Sequence, residues 1–523
     1  MTASQAPSLP EAPAPAPLRS PPNRLPWEAP PPQGWEPPLR GWAWELAVLL
    51  GGLGLLAAAM LSAEGALALG RREPLTTWTW LSSLGLWILS AVSAAAVGLL
   101  AWLKLEALTL LAAMALDHRR LARIGGRPVA WLDAPPQRAL RVAHLSDLHV
   151  AEDAGVRLIE AERPAGNAAL QGLLSAPELK DVDALVVTGD VTDRGTADSW
   201  SEALAALEAH GLAERTVLVP GNHDLMLVKV VEKVEELASD RFGVVQLANL
   251  YKFAQAFART AGGLRGTVLR TADLQLPPPA RGALPDVRQV LPWAEAWEAM
   301  AGEVRELLEK LPFEQAPGVG ARAPLRGWRE VQAYAGRLER CRARMLALFP
   351  VAVPVGERGV VLVLNSCTLV SRNPATNSFG ALGAVQMERL EALVRHLPQR
   401  LRLVALHHHL VRRGEEQAAG LRKRLFARFA VLSDWRPLVR HCRETGVRAV
   451  LNGHRHLSYQ LRLPGGTVLL AAPSSTLGDE LSLDPRPGFE VYSFAADPVD
   501  DVQVAIHRKV VRPAVPWTAP RGS

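Results

Sequence analysis

Five short polar blocks, each directly behind a run of apolar residues, constrain the fold of this 523-residue chain more than any other feature. The apolar runs are short and rich in valine, leucine and alanine, and helical patterns separate most of them. This arrangement is typical of buried strands in a layered α/β domain. Strands are predicted over residues 140–145, 184–188, 217–219, 360–364, 403–406 and 449–451.

The polar blocks contain the residue types that bind divalent metal ions. Because the carboxyl ends of strands in such sheets meet at one crevice, we expect the blocks to lie together. A polar turn or a capped loop explains any one block equally well, but five blocks behind buried strands are hard to produce by chance. Their carboxylate, imidazole and amide groups suit Mn, Fe or Zn, and a two-metal site needs a bridging carboxylate with further ligands for each ion. The blocks are Asp147-Leu148-His149, Gly189-Asp190, Gly221-Asn222-His223-Asp224, His407-His408-His409 and Gly453-His454-Arg455-His456.

In composition and order the five blocks resemble the motifs of the calcineurin-like metallophosphoesterase family. The resemblance covers about residues 141–477 and implies an α/β fold with a four-layer core, in which two β-sheets lie between helices. It also implies a hydrolase that cleaves a phosphodiester or phosphomonoester with two divalent metal ions, Mn, Fe or Zn. Residues 365–366, 383–386 and 472–476 are similar to the cyclic-nucleotide-phosphodiesterase-like branch of that family.

The resemblance implies a ligand set for each metal ion, with Asp190 bridging both. After the three adjacent histidines, relatives often continue with a proline and use the middle histidine, which is His408 here. Leu410 takes the place of that proline, so His407 stays an alternative ligand. The first ion is expected to be held by Asp147, His149 and His456, and the second by Asn222, His408 and His454.

The resemblance implies a catalytic role, rather than metal binding, for His223. It would contact the phosphoryl group and stabilise or protonate the leaving group, while hydroxide formed between the two cations attacks in line. Asp224 follows His223 directly in the sequence. Two interpretations of Asp224 stay open, a carboxylate that orients His223 and a simple turn carboxylate.

The N-terminal part of the chain differs in composition from the rest. Residues 1–40 are rich in proline, which predicts a disordered tail. Two uncharged stretches follow over residues 46–63 and 75–103, with tryptophans near their ends, as in transmembrane helices. We therefore expect transmembrane helices over 41–70 and 75–103 and a basic juxtamembrane helix over 104–127. A pair of buried core helices is the alternative.

Arginine and lysine residues flank both uncharged stretches. This bias predicts a multi-pass protein of the cell (inner) membrane with its catalytic domain in the cytoplasm. The three cysteines show no close pair, which suits a reducing compartment. The net charge of +6 does not by itself indicate nucleic-acid binding, and we expect none.

The metallophosphoesterase domain is predicted over residues 128–512 and is followed by a C-terminal tail over 513–523. A long segment over residues 225–359 separates two of the polar blocks. Apolar residues recur at helical spacing in this segment. We interpret it as a largely helical insertion, part of which borders the entrance to the site.

Three hypotheses for the function follow from the sequence. The first is hydrolysis of a lipid headgroup at the bilayer, favoured by the predicted anchor, the insertion and a basic run over residues 412–428. The second is hydrolysis of a soluble nucleotide or another phosphorylated small molecule by an enzyme that the anchor only localises. The third is a non-catalytic metal-binding sensor, against which the complete set of ligand residues argues.

Overall fold

The computed structural model describes residues 127–151, 166–225, 241–271, 290–309, 325–368, 379–398, 400–411, 431–463, 465–478, 486–495 and 505–514. Several predicted segments lie outside these ranges. They are the tail over residues 1–40, the transmembrane helices over 41–70 and 75–103, the juxtamembrane helix over 104–127 apart from its last residue, and the basic run over 412–428. Within the described ranges, no helix has both the length and the apolar composition that crossing a membrane requires.

Two β-sheets form the centre of the described structure. Their strands are β1 (Ala139–Leu145), β2 (Ala184–Val187), β3 (Thr216–Leu218), β4 (Thr267–Leu269), β5 (Val290–Pro292), β6 (Val351–Val355), β7 (Gly359–Val363), β8 (Leu401–Ala405), β9 (Val447–Asn452), β10 (Tyr459–Arg462), β11 (Val468–Ala471), β12 (Phe489–Ala495) and β13 (Ile506–Val511). The five-stranded sheet has the order β13-β12-β1-β2-β3. The eight-stranded sheet has the order β10-β11-β9-β8-β7-β6-β4-β5.

All six predicted strands are confirmed, as β1, β2, β3, β7, β8 and β9. In the five-stranded sheet, β1, β2 and β3 are parallel, with Val142 opposite Ala184. In the eight-stranded sheet, β7, β8, β9 and β11 are parallel. The parallel strands bring their carboxyl ends, and with them the polar blocks, to one edge of each sheet. The expected α/β fold with two sheets is confirmed.

Strands β12 and β13 were not predicted from the sequence. β12 contains the buried Glu490, and β13 contains Arg508 and Lys509. These two strands form an antiparallel pair at the edge of the five-stranded sheet. The edge strand β13 has charged residues, and β12 has Glu490 and Ser493 among its apolar residues, so neither shows a continuous apolar run.

Alternate residues of the eight-stranded sheet pack into two separate cores. Val361, Leu403 and Leu451 face the larger core, which also contains residues of the five-stranded sheet. Val404 and Val450, each one position away along its strand, belong to the smaller core. The period of two along each strand thus places one face against the other sheet and the opposite face against helices.

Helices surround the two sheets in the described ranges. They are α1 (Gly166–Leu174), α2 (Ala197–Ala209), α3 (Asn222–Leu225), α4 (Arg241–Ala258), α5 (Ala261–Arg265), α6 (Trp293–Glu309), α7 (Leu325–Ala347), α8 (Ala384–His396) and α9 (Trp435–Glu444). α8 and α9 provide the helical side of the smaller core through residues such as Leu393 and Leu438.

The segment over residues 225–359 is helical in most of its described part. It contains α4 to α7, but β4, β5 and β6 extend the eight-stranded sheet, which helical spacing did not predict. The apolar residues of α6 from Trp293 to Leu308 are buried, as their spacing predicts. The ring centroids of Trp293 and Phe257 on α4 lie 4.8 Å apart. These contacts favour the interpretation of the segment as an insertion packed on the core.

Residues 127–132, which we call the N-terminal strap, join the sheets at the end opposite the polar blocks. Arg127 and Arg462 exchange backbone hydrogen bonds of 2.9 and 2.8 Å. The N–H of Leu132 donates to the carbonyl of Ile506. Ile506 pairs with Phe494 of β12, which in turn pairs with Leu140 near the start of β1. Since β1 has seven residues, this point lies about 20 Å from the carboxyl ends of the strands.

Candidate metal centre

The five polar blocks meet at the carboxyl ends of strands from both sheets. β1, β2 and β3 of the five-stranded sheet lead into the first three blocks, and β8 leads into the three histidines. The last block begins the loop between β9 and β10, and we call residues 453–458 of this loop the ligand loop. Every side chain that the sequence assigned to the site is buried, except those of His454 and His456, which are partly exposed.

Asp147, His149 and His456 form one cluster of potential metal ligands, with ligand atoms within 4.8 Å of one another. Nε2 of His456 lies 3.2 Å from Nε2 of His149 and 3.5 Å from Oδ1 of Asp147. Oδ2 of Asp147 accepts hydrogen bonds from Oγ of Ser146 at 2.5 Å and from the backbone N–H of His454 at 2.9 Å. Oδ1 of Asp147 is buried and has no hydrogen-bond donor in the described part of the chain. Its lone pairs are therefore free for a cation.

Asp190, His407 and His454 form a second cluster of potential ligands. Nε2 of His407 lies 3.3 Å from Oδ2 of Asp190 and 3.0 Å from Nδ1 of His454. Oδ1 of Asn222 is 2.9 Å from the same nitrogen of His407. A donor set of carboxylate, imidazole and amide oxygen fits Mn, Fe or Zn, the metals expected from the sequence.

The two carboxylates of the centre require positive charge beside them. Although burial opposes ionisation of Asp190, the charges of His407 and His223 hold its pKa well below the ordinary value. Burial lowers the pKa of His407, but the carboxylates of Asp190 and Asp147 more than reverse this and raise it to about 9. A protonated His407 thus balances Asp190 in the same way as a bound metal ion would.

Hydrogen bonds favour His407 over the predicted His408 as a metal ligand. Nδ1 of His407 lies 2.8 Å from the carbonyl oxygen of Thr188, which can only accept, so this nitrogen carries the ring hydrogen. Nε2 of His407 faces Oδ1 of Asn222 and Nδ1 of His454. In the protonated imidazole Nε2 carries the second proton, and a bound cation would take the place of that proton. Metal-binding histidines commonly donate from one nitrogen to a carbonyl and bind the ion through the other.

Ser366 holds His408 in the opposite tautomer. Oγ of Ser366 accepts hydrogen bonds from the backbone N–H groups of His407 at 3.3 Å and His408 at 3.2 Å. Its single hydrogen is left for Nδ1 of His408, 2.9 Å away. Nε2 of His408 then carries the ring hydrogen and has no lone pair for a metal ion. This arrangement favours His407, the alternative ligand, over the predicted His408.

His223 is oriented by Asp193, a residue that the sequence analysis missed. Nδ1 of His223 donates to the backbone carbonyl of Asp193 at 2.8 Å, which leaves Nε2 for other partners. The carboxylate of Asp193 lies 3.6 Å from Nδ1 of His149 and 4.0 Å from Nδ1 of His223. Its position three residues after Asp190 is the only signal in the sequence, and an aspartate in a turn is too common to be singled out.

Asp224 holds the backbone of the loop that carries Asp190. Its carboxylate accepts hydrogen bonds of 2.8 to 3.2 Å from the N–H groups of Val191, Thr192 and Gly221 and from the hydroxyl of Thr192. Burial and the charge of Asp190 raise the pKa of Asp224 to about 6, against the effect of these hydrogen bonds. The structure favours the turn carboxylate over a carboxylate that orients His223.

The candidate ligands share an unusual backbone conformation. In the described ranges, every residue other than glycine that has φ in the left-handed region belongs to a polar block. This conformation costs a residue with a side chain about 1 kcal/mol or more, so surrounding contacts must offset the strain. The strained residues are Asp147, His149, Asp190, His454 and His456, with φ between 45° and 77°.

Glycines in the blocks allow the chain to pass close to the ligands. A Cβ on Gly453 would overlap Oγ of Ser146 and lie 2.5 Å from Oδ2 of Asp147. A Cβ on Gly221 would overlap the backbone nitrogen and the carboxylate of Asp190. Glycine is therefore required at both positions by close approach to a carboxylate ligand.

Comparison with known proteins agrees with this geometry. Residues 140–299 match the family model of the calcineurin-like phosphoesterase. A probable cyclic nucleotide phosphodiesterase of Fibrobacter succinogenes is 28% identical over 101 residues, which are 19% of this chain. The matched part is 36% of that protein, so the chain spans about a third of the curated relative's length.

Two solved structures match over a larger part of the chain at much lower sequence identity. A dimetal phosphatase from Danio rerio is 12% identical with a TM-score of 0.32, and the match covers 71% of this chain and 99% of that one. A 5'-nucleotidase from Candida albicans is 10% identical with a TM-score of 0.31, and the match covers 74% of this chain and 52% of that one. Residues 140–299 are therefore similar to calcineurin-like phosphoesterases, the family that the polar blocks resemble.

We expect Gly453→Ala to disrupt the centre although it adds only one methyl group. The new Cβ must displace Ser146 and Asp147, which other hydrogen bonds hold in place. The affinity for Mn²⁺, measured by titration calorimetry on the full-length protein, should fall by about tenfold or more. Gly302→Ala, which has open space around the new methyl group, is the control and should bind Mn²⁺ like the wild type. Equal affinities of the two variants would contradict the close approach of Gly453 to Asp147.

Proposed function

We propose that the protein hydrolyses a water-soluble phosphodiester with two divalent metal ions held by the polar blocks. The observation that carries the proposal is the convergence of two buried carboxylates with imidazole nitrogens at the edges of both sheets. The complete set of ligand groups argues against a non-catalytic sensor. In this proposal Asp147, His149 and His456 hold the first ion, Asn222, His407 and His454 hold the second, and Asp190 bridges both.

A contact with the second cluster and an electrostatic effect on the first support the bridging position of Asp190. Its Oδ2 lies 3.3 Å from Nε2 of His407 in the second cluster. Its charge also acts on His149 in the first cluster, where it opposes the lowering of the His149 pKa by burial. Oδ1 of Asp190 accepts the backbone N–H of His223 at 2.8 Å, which fixes the carboxylate between the two clusters.

Among the described residues, we assign His223 to serve the leaving oxygen. When bound, two divalent cations supply positive charge for the phosphoryl oxygens and make hydroxide available near neutral pH. The carbonyl of Asp193 fixes the hydrogen on Nδ1 of His223, so a second proton would reside on Nε2 and pass to the leaving group. The rings of His223 and His149 lie edge to face with centroids 4.8 Å apart, which keeps His223 beside the first cluster.

The substrate that we propose is a soluble phosphodiester rather than a lipid headgroup. The relative from Fibrobacter succinogenes, a probable cyclic nucleotide phosphodiesterase, supports a nucleotide-like phosphodiester as the substrate.

We expect the full-length protein to hydrolyse bis-(p-nitrophenyl) phosphate with added Mn²⁺, faster than p-nitrophenyl phosphate, and to lose this activity with a chelator. His407→Ala and Asn222→Ala should lower kcat/KM by about two orders of magnitude, because each removes a group that faces the second ion. His408→Ala is the matched control and should keep most of the activity. A larger loss of kcat/KM in His408→Ala than in His407→Ala would contradict the tautomer assignment. Absence of hydrolysis by folded, Mn²⁺-loaded protein would overturn the proposed reaction.

His223→Asn should slow the reaction most where the leaving group is poor. Loss of a general acid costs about 10² to 10⁴ in rate when the leaving oxygen needs a proton. The loss of kcat should therefore be larger for bis-phenyl phosphate than for the p-nitrophenyl ester, whose leaving group is stable without protonation. Mn²⁺ affinity is the control and should not change. Equal losses with both esters would show that His223 does not act as a proton donor.

We further propose that the uncharged stretches over residues 46–63 and 75–103 anchor the chain in the cell (inner) membrane, with the phosphoesterase domain in the cytoplasm. Their length and the basic residues on both flanks support this topology. The protein should stay in the membrane fraction after carbonate extraction. In right-side-out vesicles, the domain should resist an added protease until detergent opens them. Release by carbonate would overturn the anchor, and digestion in intact vesicles would overturn the orientation.

A further inference from the structure

A buried ionic cluster lies next to the ligand loop, outside the two groups of metal ligands. Glu490 on β12 is 1% exposed. Its carboxylate accepts hydrogen bonds from the hydroxyl of Tyr492 and from Nη2 of Arg508, the latter at 2.5 Å. Oγ of Ser458 donates to the same carboxylate at 3.1 Å. A buried carboxylate is tolerated only with such partners, so we treat these four side chains as a unit, the Glu490 cluster.

Ser458 connects the Glu490 cluster to the ligand loop. Besides donating to Glu490, its hydroxyl accepts hydrogen bonds from Nε2 of Gln460 at 2.9 Å and from Nη2 of Arg508 at 3.5 Å. The one hydrogen and both lone pairs of this hydroxyl are thus used. Ser458 is the last residue of the ligand loop and follows His456 by two positions.

The ligand loop needs a fixed point at each end because its metal-binding residues are strained. His454 and His456 have φ of 77° and 53°. At the start of the loop, the N–H of Gly453 donates to the carbonyl of His407 at 3.0 Å, and the N–H of His454 donates to Asp147 at 2.9 Å. After His456, β10 is held by its ladder with β11 from Tyr459 onward. Ser458 adds a side-chain contact between that ladder and the strained His456.

The N-terminal strap covers the Glu490 cluster. The ring of Trp131 stacks on that of Tyr492, with centroids 6.2 Å apart and an interplanar angle of 20°. The guanidinium of Arg508 lies 5.6 Å from the centroid of Trp131, within range of a cation–π interaction. A continuous set of contacts therefore runs from the strap through Arg508 and Ser458 to the ligand loop.

We propose that Ser458, Glu490 and Arg508 are positioning residues that hold the ligand loop in its metal-binding conformation and so set the affinity of the first metal site. The inference rests on the proposed function in one respect, namely that the two clusters bind metal ions. None of the three side chains is itself a ligand in that proposal. Their effect reaches the metal through the backbone of the loop and the orientation of His456.

The test is Mn²⁺ binding by the purified full-length protein, measured by titration calorimetry. The wild type should bind two ions. Ser458→Ala should weaken one site by about tenfold and leave the other unchanged, because the bonds of Gly453 and His454 still hold the start of the loop. Ser458→Thr retains the hydroxyl and should bind both Mn²⁺ ions with wild-type affinity. Glu490→Gln should act in the same direction as Ser458→Ala. Ser493→Ala, which removes another buried serine hydroxyl on β12, is the matched control.

The melting temperature and circular dichroism of each variant separate positioning from a general loss of structure. The proposal predicts a folded Ser458→Ala protein with one weakened site. Two sites of wild-type affinity in that variant would overturn it. Equal weakening of both sites, or the same loss in Ser493→Ala, would also overturn it. Failure of the wild type to bind Mn²⁺ would instead remove the proposed metal centre, and the positioning role with it.

Discussion

Two buried carboxylates, Asp147 and Asp190, impose the constraint on which the rest of the centre depends. Both are at most 2% exposed, and an unpaired ion at such a position costs several kcal/mol. Three features surround these charges with polar groups. They are the neighbouring imidazoles, the left-handed backbone of the candidate ligands and the close approach of Gly221 and Gly453. In the proposed enzyme the negative charge of these carboxylates attracts the two cations. The groups that are most costly to bury therefore also favour the binding of metal ions.

The sequence predicted those parts of the fold and the site that depend on local patterns. Apolar runs identified six strands of the two parallel regions, because strands of a parallel sheet are buried on both faces. The equally buried β11 was not predicted. The ligand blocks were found for a related reason, since each follows such a strand and contains residue types with metal-binding chemistry. Both signals are contained within a few neighbouring residues of the chain.

The sequence left open, or missed, those features that depend on distant residues. Three adjacent histidines are chemically equal in the sequence, and they differ only because Ser366 and Thr188, on other segments, fix opposite tautomers of His408 and His407. Adjacency left open whether Asp224 orients His223 or is a turn carboxylate, and its hydrogen bonds to backbone N–H groups favour the turn carboxylate. Strands β12 and β13 were missed because their charged residues are matched only in the folded structure, where Glu490 meets Arg508.

The distribution of ligands between the two sheets links the chemistry to the stability of the domain. Asp147, His149, Asp190 and Asn222 follow strands of the five-stranded sheet, whereas His407, His454 and His456 follow strands of the eight-stranded sheet. Each proposed ion would therefore join one sheet to the other. An ion present at one hundred times its Kd would add about 2.7 kcal/mol to the free energy of unfolding, provided that the unfolded chain does not bind it. This gain would offset part of the strain in the five left-handed residues. The ion would bind only the folded chain, because the ligands come together only while the two sheets are packed.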